Sequence, residues 1–236
     1  MLGAFCPLIH YLITNKIKDQ KIELRDFGPM NRHVLDLPYL QANNVAVSFN
    51  ENLSPKDADV ILDNLDVVNK KKSFHKVISI ATKYLIENFA DSSDSTDVLV
   101  VDRGLPRESY EKINHRSGIL RRSVPNMKAF YNHIADMDST RFVRLENATL
   151  KKNVSLFHHA DCVVAQHGGA LTNTIFMQSH AEVIEIRFGH RGHFFYLCEH
   201  LGLSHQFFGP PSGKNNPAPR IDKEALKRKI WRIKLL

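Results

Sequence analysis

Asp161–Ile186 reads "DCVVAQHGGALTNTIFMQSHAEVIEI". A short apolar run ends at His167, and two glycines follow. A segment with helical spacing runs from about Ala170 to Met177, and a second apolar run, "EVIEI", closes the stretch. Runs of this length on either side of a helical pattern predict strand, turn, helix and parallel strand.

Working outward, the same alternation recurs. "VLVVDR" ending at Arg103 is another continuous apolar strand, followed by a helix near Met127–Met137 and the strand "FVRLE". A helix near Lys151–His159 precedes "CVVAQ", and a helix near Phe194–Leu201 follows "EVIEIR". Strand–helix alternation with short links predicts an α/β fold with a doubly wound parallel sheet. Upstream, residues 1–19 and 73–89 have helical periodicity, while "KIELRD" and "VAVSFN" read as strands. "HVLDLPYL" reads as a short helix or extended piece broken by Pro38. The polar stretch "ADSSDSTD" is the best linker. It divides the chain into an N-terminal domain over 1–90, a linker over 91–97 and a second domain over 98–236.

The chain has 236 residues, 43% hydrophobic and 24% charged, enough for one large or two small domains. No apolar run is long enough to predict a transmembrane helix. The first residues lack the basic start and small-residue cleavage site of a signal peptide, and the pattern begins as if something upstream were absent. Cys6, Cys162 and Cys198 are odd in number and widely spaced, which argues against a disulfide framework or a zinc site. The net charge of +7 favours anionic partners. Its clusters, Lys70–Lys72 and the tail "KEALKRKIWRIKLL", lack interleaved aromatics and read as solvated faces, so nucleic acid is a lesser reading.

In such sheets ligands bind outside the carboxyl ends of the strands. That directs attention to Arg103, Glu146, the His167–Gly168–Gly169 turn and Glu185. Two glycines before a helix allow a tight turn and leave N–H groups for an anion such as phosphate, with Thr172 and Asn173 as further donors. The five arginines 103, 107, 116, 121 and 122 offer bidentate grips on phosphate oxygens, or form a solvated basic loop. Glu185 suits two ribose hydroxyls, or pairs with an arginine. His167 is a phosphate donor, a catalytic group or a packing residue. No D-x-D triplet follows a strand, and His158–His159 lack metal-ligand spacing, so no metal is signalled.

"LENATLKKNVSLFHHADCVVAQHGGALTNTIFMQSHAEVIEI" resembles the core of glycosyltransferase family 61. The matching positions include Leu156, Phe157, Ala160, Asp161, His167, Gly168, Ala170, Leu171, Thr172, Asn173, Phe176, Val183, Ile184, Glu185 and Ile186. Upstream, "RSVPN" from Arg122 to Asn126 fits the family's R-x-[IV]-x-N element, and Arg103 fits its strand-end arginine. The resemblance covers residues 98–210 well.

It implies a GT-B-like architecture of two Rossmann-like lobes, here with the N-terminal one short or truncated. It implies an inverting sugar transfer from a nucleotide sugar, usually a uridine diphosphate sugar, to a glycan or glycoprotein hydroxyl, with no cofactor and no obligatory metal. Carried over by position, Arg103 and Arg122 neutralise the diphosphate and Asn126 supports it. The turn His167, Gly168, Gly169, Ala170, Leu171, Thr172 and Asn173 contacts phosphate or sugar, and Glu185 holds the ribose. Gly169 departs from the pattern, either as an added residue or in place of a small one. The catalytic base is not marked, and His10, Asp26 and Asp36 are its candidates. The rival readings are a non-catalytic nucleotide- or glycan-binding relative and a basic nucleic-acid-binding protein. The location reads as cytoplasmic, or as Golgi or endoplasmic reticulum lumen for a truncated eukaryotic chain, with peripheral membrane association left open.

Overall fold

The apolar runs form strands and the periodic segments form helices, in the alternating order that the sequence predicts. The structure, a computed structural model, describes residues 5–25, 33–54, 56, 58–60, 62, 71–91, 96–103, 124, 126–137, 139–146, 148–186, 192–209 and 222–234. It divides into two units, Met1–Ala90 with Thr149–Lys151, and Asp91–Ala148 with Lys152–Leu236.

The first unit holds α1 (Phe5–Thr14), β1 (Lys21–Arg25), α2 (Pro38–Ala42), β2 (Ala46–Asn50) and α3 (Lys71–Phe89). β1 and β2 pair in parallel, Lys21 opposite Ala46 and Arg25 opposite Asn50. Pro38 starts α2 instead of breaking a helix. In the first turn its missing N–H has no intrahelical partner to lose. Phe74, Ile78, Ala81 and Leu85 form the buried stripe of α3 at three- and four-residue spacing. The Tyr39 hydroxyl reaches the carbonyls of Leu12 (2.8 Å) and Ile17 (3.0 Å), and its backbone N–H donates to the Tyr84 hydroxyl at 2.7 Å. One residue of α2 thereby ties itself to α3 and to the end of α1.

The second unit is a parallel sheet of five strands in the order β4-β3-β5-β6-β7. They are β3 (Thr96–Val101), β4 (Thr140–Val143), β5 (Ala160–Gln166), β6 (Glu182–Ile186) and β7 (Ser204–Phe208). Between them run α4 (Met127–Ile134), α5 (Leu150–His158), a 3-10 helix (Gly169–Phe176) and α6 (His193–Leu201), and α7 (Lys223–Lys234) follows β7. Side chains alternate across the sheet. Val98, Val100, Cys162, Val164, Ile184 and Ile186 pack on one face with Met127, Phe130 and Ile134 of α4 and Leu226 and Ile230 of α7. On the other face α6 covers β7, its Phe195 ring stacking on Phe207 and meeting His205 edge-on. Both faces are covered, which explains why β3, β5 and β6 read as near-continuous apolar runs.

Three elements differ from the sequence reading. The helix at 170–177 is a 3-10 helix, because Thr172, Asn173 and Thr174 each donate a side-chain hydrogen bond to the carbonyl three residues back. β7 had no strand signal, since "SHQFF" is half polar and only partly buried at the sheet edge. The basic tail is a helix. Asp222 caps it by accepting from the Ala225 N–H at 3.0 Å, and Leu226 and Ile230, four residues apart, are fully buried.

Candidate functional site

Strand register aligns the carboxyl ends of the sheet: Val101 lies opposite Ala165, Ala165 opposite Glu185, and Glu185 opposite Phe207. Alternation then sends Arg103, His167, Glu185 and His205 to one face and Asp102 and Gln166 to the other. Two polar clusters follow from that parity.

The first is built on the glycine turn. Arg103 Nη1 donates to the His167 carbonyl at 3.0 Å. A Cβ placed on Gly168 would sit 2.7 Å from that same Nη1 and 3.1 Å from Arg103 Cζ. Gly168 is glycine because the guanidinium lies against its backbone. Gly169 is different: it is exposed, and a Cβ there would meet nothing within 4 Å. It opens the 3-10 helix, whose first ladder bond is Leu171 N–H to the Gly168 carbonyl at 3.0 Å. The amides ahead of Leu171 have no intrahelical acceptor and lie at the positive end of the helix dipole.

Behind the turn stands Glu185, fully buried. Its Oε1 accepts from His167 Nδ1, and its Oε2 accepts from His205 Nε2 at 3.0 Å. Burial pushes this carboxyl up most strongly, but the two imidazole hydrogen bonds and charges outweigh it together and bring it down to about 2. Glu185 is therefore a carboxylate that can only accept, so each imidazole donates to it. The His167 side chain is 17% exposed, its ring edge-on to Phe194 at 5.3 Å and near His193 at 5.7 Å. Cys198 lies close behind, its thiol pushed up to about 12 by burial and by the charge of Glu185.

On the opposite face Asp102 ends β3. Its Oδ2 accepts from Arg144 Nε at 2.8 Å and its Oδ1 from Gln166 Nε2 at 3.2 Å. This cluster ties the ends of β4, β3 and β5 together.

Several candidates behave differently from their sequence reading. Glu185 has no exposed surface, and both its oxygens are engaged by histidines; a ribose would have to displace one of them. The Thr172 hydroxyl donates to the Gly169 carbonyl at 2.6 Å, and the Asn173 amide to the Ala170 carbonyl at 3.1 Å. The Thr172 hydroxyl's one donor is thereby spent within the 3-10 helix, and so is one of the two Asn173 amide donors. Leu171 is a core residue with no exposure, and Ala170 is half-buried beside the open Gly169. Asn126 stands at the N-terminus of α4, where its carbonyl accepts from the Phe130 N–H at 2.9 Å.

His10 and Asp36 belong to the first unit. Burial, and then the charge of Lys76, lower His10 below the usual imidazole range. Asp36 is exposed and 3.4 Å from His33 Nδ1. Asp26, Arg107, Arg116, Arg121 and Arg122 lie outside the described residues.

Sequence reasoning missed His205, Asp102, Gln166 and Arg144. Asp102 and Gln166 do end their apolar runs next to Arg103 and His167, so position alone marked them. Nothing local pairs His205 with Glu185. Among the described residues no group of three or more His, Cys, Asp or Glu is arranged to hold a metal ion, and no helix is long and apolar enough to cross a membrane. The family model described as Glycosyltransferase 61 matches residues 3–184. Compared with curated proteins one by one, the chain has no match.

Proposed function

The chain belongs to the glycosyltransferase 61 family, and from that premise we propose that it moves a sugar, with inversion, from a uridine diphosphate sugar to a hydroxyl of a glycan or glycoprotein. The observation that carries this reading is the Arg103 guanidinium laid against the Gly168 backbone at the carboxyl end of the sheet. A permanently charged fork beside the leading amides of a helix suits a diphosphate.

In this reading the acceptor hydroxyl attacks the sugar C1 and gives its proton to a general base while the bond from C1 to the diphosphate oxygen breaks. Arg103, Arg122 and the amides of the turn stabilise the charge that grows on the leaving group, with Asn126 in support. Fixed donors need no reorganisation at that moment, which makes them the main catalytic contribution. The second unit is the donor lobe of a GT-B-like pair, and the transfer needs no metal.

Calorimetry with uridine diphosphate tests the reading. We expect binding to the unmodified protein in the presence of a chelator, and its loss in Arg103→Ala and Arg122→Ala with folding intact by circular dichroism. Unchanged affinity in both variants sinks the assignment. A screen of nucleotide sugars by thermal shift then identifies the donor, because a bound donor raises the unfolding temperature by mass action.

A further inference from the structure

The pair of histidines on one buried carboxylate has a consequence for how the turn meets its ligand. Glu185 is an acceptor on both oxygens, so His167 must carry a proton on Nδ1 and His205 a proton on Nε2. The remaining nitrogens are then distinct. His205 Nδ1 is buried and has no hydrogen-bond partner. His167 is the partly exposed member, and its Nε2 makes no hydrogen bond among the described residues. Neutral His167 therefore offers a lone pair at Nε2, which repels an anionic oxygen. Protonated His167 offers an N–H, and Glu185 balances its charge.

We propose that Glu185 and His205 are positioning residues that commit His167 Nδ1, so that His167 meets the donor diphosphate through Nε2 and only when protonated. This rests on the donor-site reading above and deepens it: Arg103 supplies a charge that pH does not change, and His167 a charge that pH switches. The other charged or titratable groups packed around the imidazole fit this division. His193 and Cys198 come from α6, and the Cys198 thiol stays neutral. Arg103 comes from the end of β3 and holds the His167 carbonyl, not its ring. Asp102 and Arg144 pair with each other on the opposite face. Among the described residues Glu185 is the carboxylate that meets the ring.

Two measurements on the full chain test this. Imidazole nitrogen NMR of the unliganded protein should show that neutral His167 carries its proton on Nδ1 and neutral His205 on Nε2. The reverse tautomers overturn the proposal without any ligand. Calorimetry with inorganic pyrophosphate and with uridine diphosphate, from about pH 5.5 to about pH 8.5, should show affinity falling about tenfold as pH rises. The ligand's own titration has the opposite sign, since it gains charge as pH rises.

In Glu185→Gln the side-chain amide can donate to Nδ1. That places the neutral ring's proton on Nε2 and should flatten the profile to less than about threefold. His205→Gln, which keeps an N–H for Glu185, should retain the parent profile, and His205→Leu should weaken it. Arg103→Lys, which keeps a charge but loses the fork, should lower affinity at every pH and keep the slope. Equal slopes in the parent and Glu185→Gln overturn the positioning role and leave the donor site standing. Failure of both ligands to bind at any pH overturns the donor site, and this inference with it.

Discussion

Glu182 and Glu185 lie three residues apart on β6, both buried, on opposite faces of one sheet. Burial pushes Glu182 up from its ordinary range, and the hydrogen bond from the neutral Gln206 amide and the charge of Lys229 only partly offset it. Burial acts on Glu185 in the same direction, but two imidazoles reverse the outcome and bring it to about 2. The strand and the residue type are shared, so the partners alone set the sign. An amide contributes a dipole, whereas imidazoles contribute donors that can also carry charge. The carboxyl end of the sheet, where ligands bind in such folds, holds the second kind.

The contrast can be broken most severely at Glu185 itself. Glu185→Leu strands the buried His205 donor and the partly exposed His167 donor, and should cost about 3–5 kcal/mol of unfolding free energy in urea melts. A loss below about 1 kcal/mol would mean the histidines find other acceptors.

Acid titration should show the same asymmetry. The folded-state value of Glu185 lies below its ordinary one, so its contribution is present above about pH 4.5 and is lost as pH falls towards about 2. That shift corresponds to on the order of 3 kcal/mol. Glu182 has the opposite sign: its folded-state value is raised, so the folded state loses stability as pH climbs from the ordinary glutamate range through the raised one. Subtracting the stability curves of Glu185→Gln and Glu182→Gln from the parent's should give differences of opposite slope. Slopes of one sign would overturn the comparison.

The adjacent glycines repeat the contrast on a smaller scale. Gly168→Ala puts a methyl 2.7 Å from Arg103 Nη1; the guanidinium can swing aside, so the cost should be only about 1 kcal/mol, with weakened anion binding as the guanidinium moves. Glu182→Gln removes the penalty of a buried charge and should change stability near neutral pH by less than about 1 kcal/mol, towards gain. Gly169→Ala enters open space and should stay within about 0.5 kcal/mol of the parent by thermal melt.

Much of this molecule is legible from local signals. Apolar runs bounded by turns gave away β3, β5 and β6, because a strand covered on both faces has no polar alternation to lose. The place of the site was legible for a related reason: residues just past those runs must lie at the carboxyl edge of a parallel sheet. Sequence alone thus determined an α/β chain whose Arg103, His167 and Glu185 share one edge, and the family resemblance that went with it.

What those residues touch was decided only by tertiary structure. Glu185 meets His205 across 20 positions, and Asp102 meets Arg144 and Gln166 across 42 and 64. Such pairings depend on strand order and register, which no local pattern encodes. For the same reason β7 was invisible, because edge burial comes from its neighbour, and α7 looked like a solvated charge run until its two buried residues met the sheet. Strand parity separated Asp102 from Arg103 and set Glu185 facing imidazoles. An alternation of period two needs only a start point, and the fold supplied it.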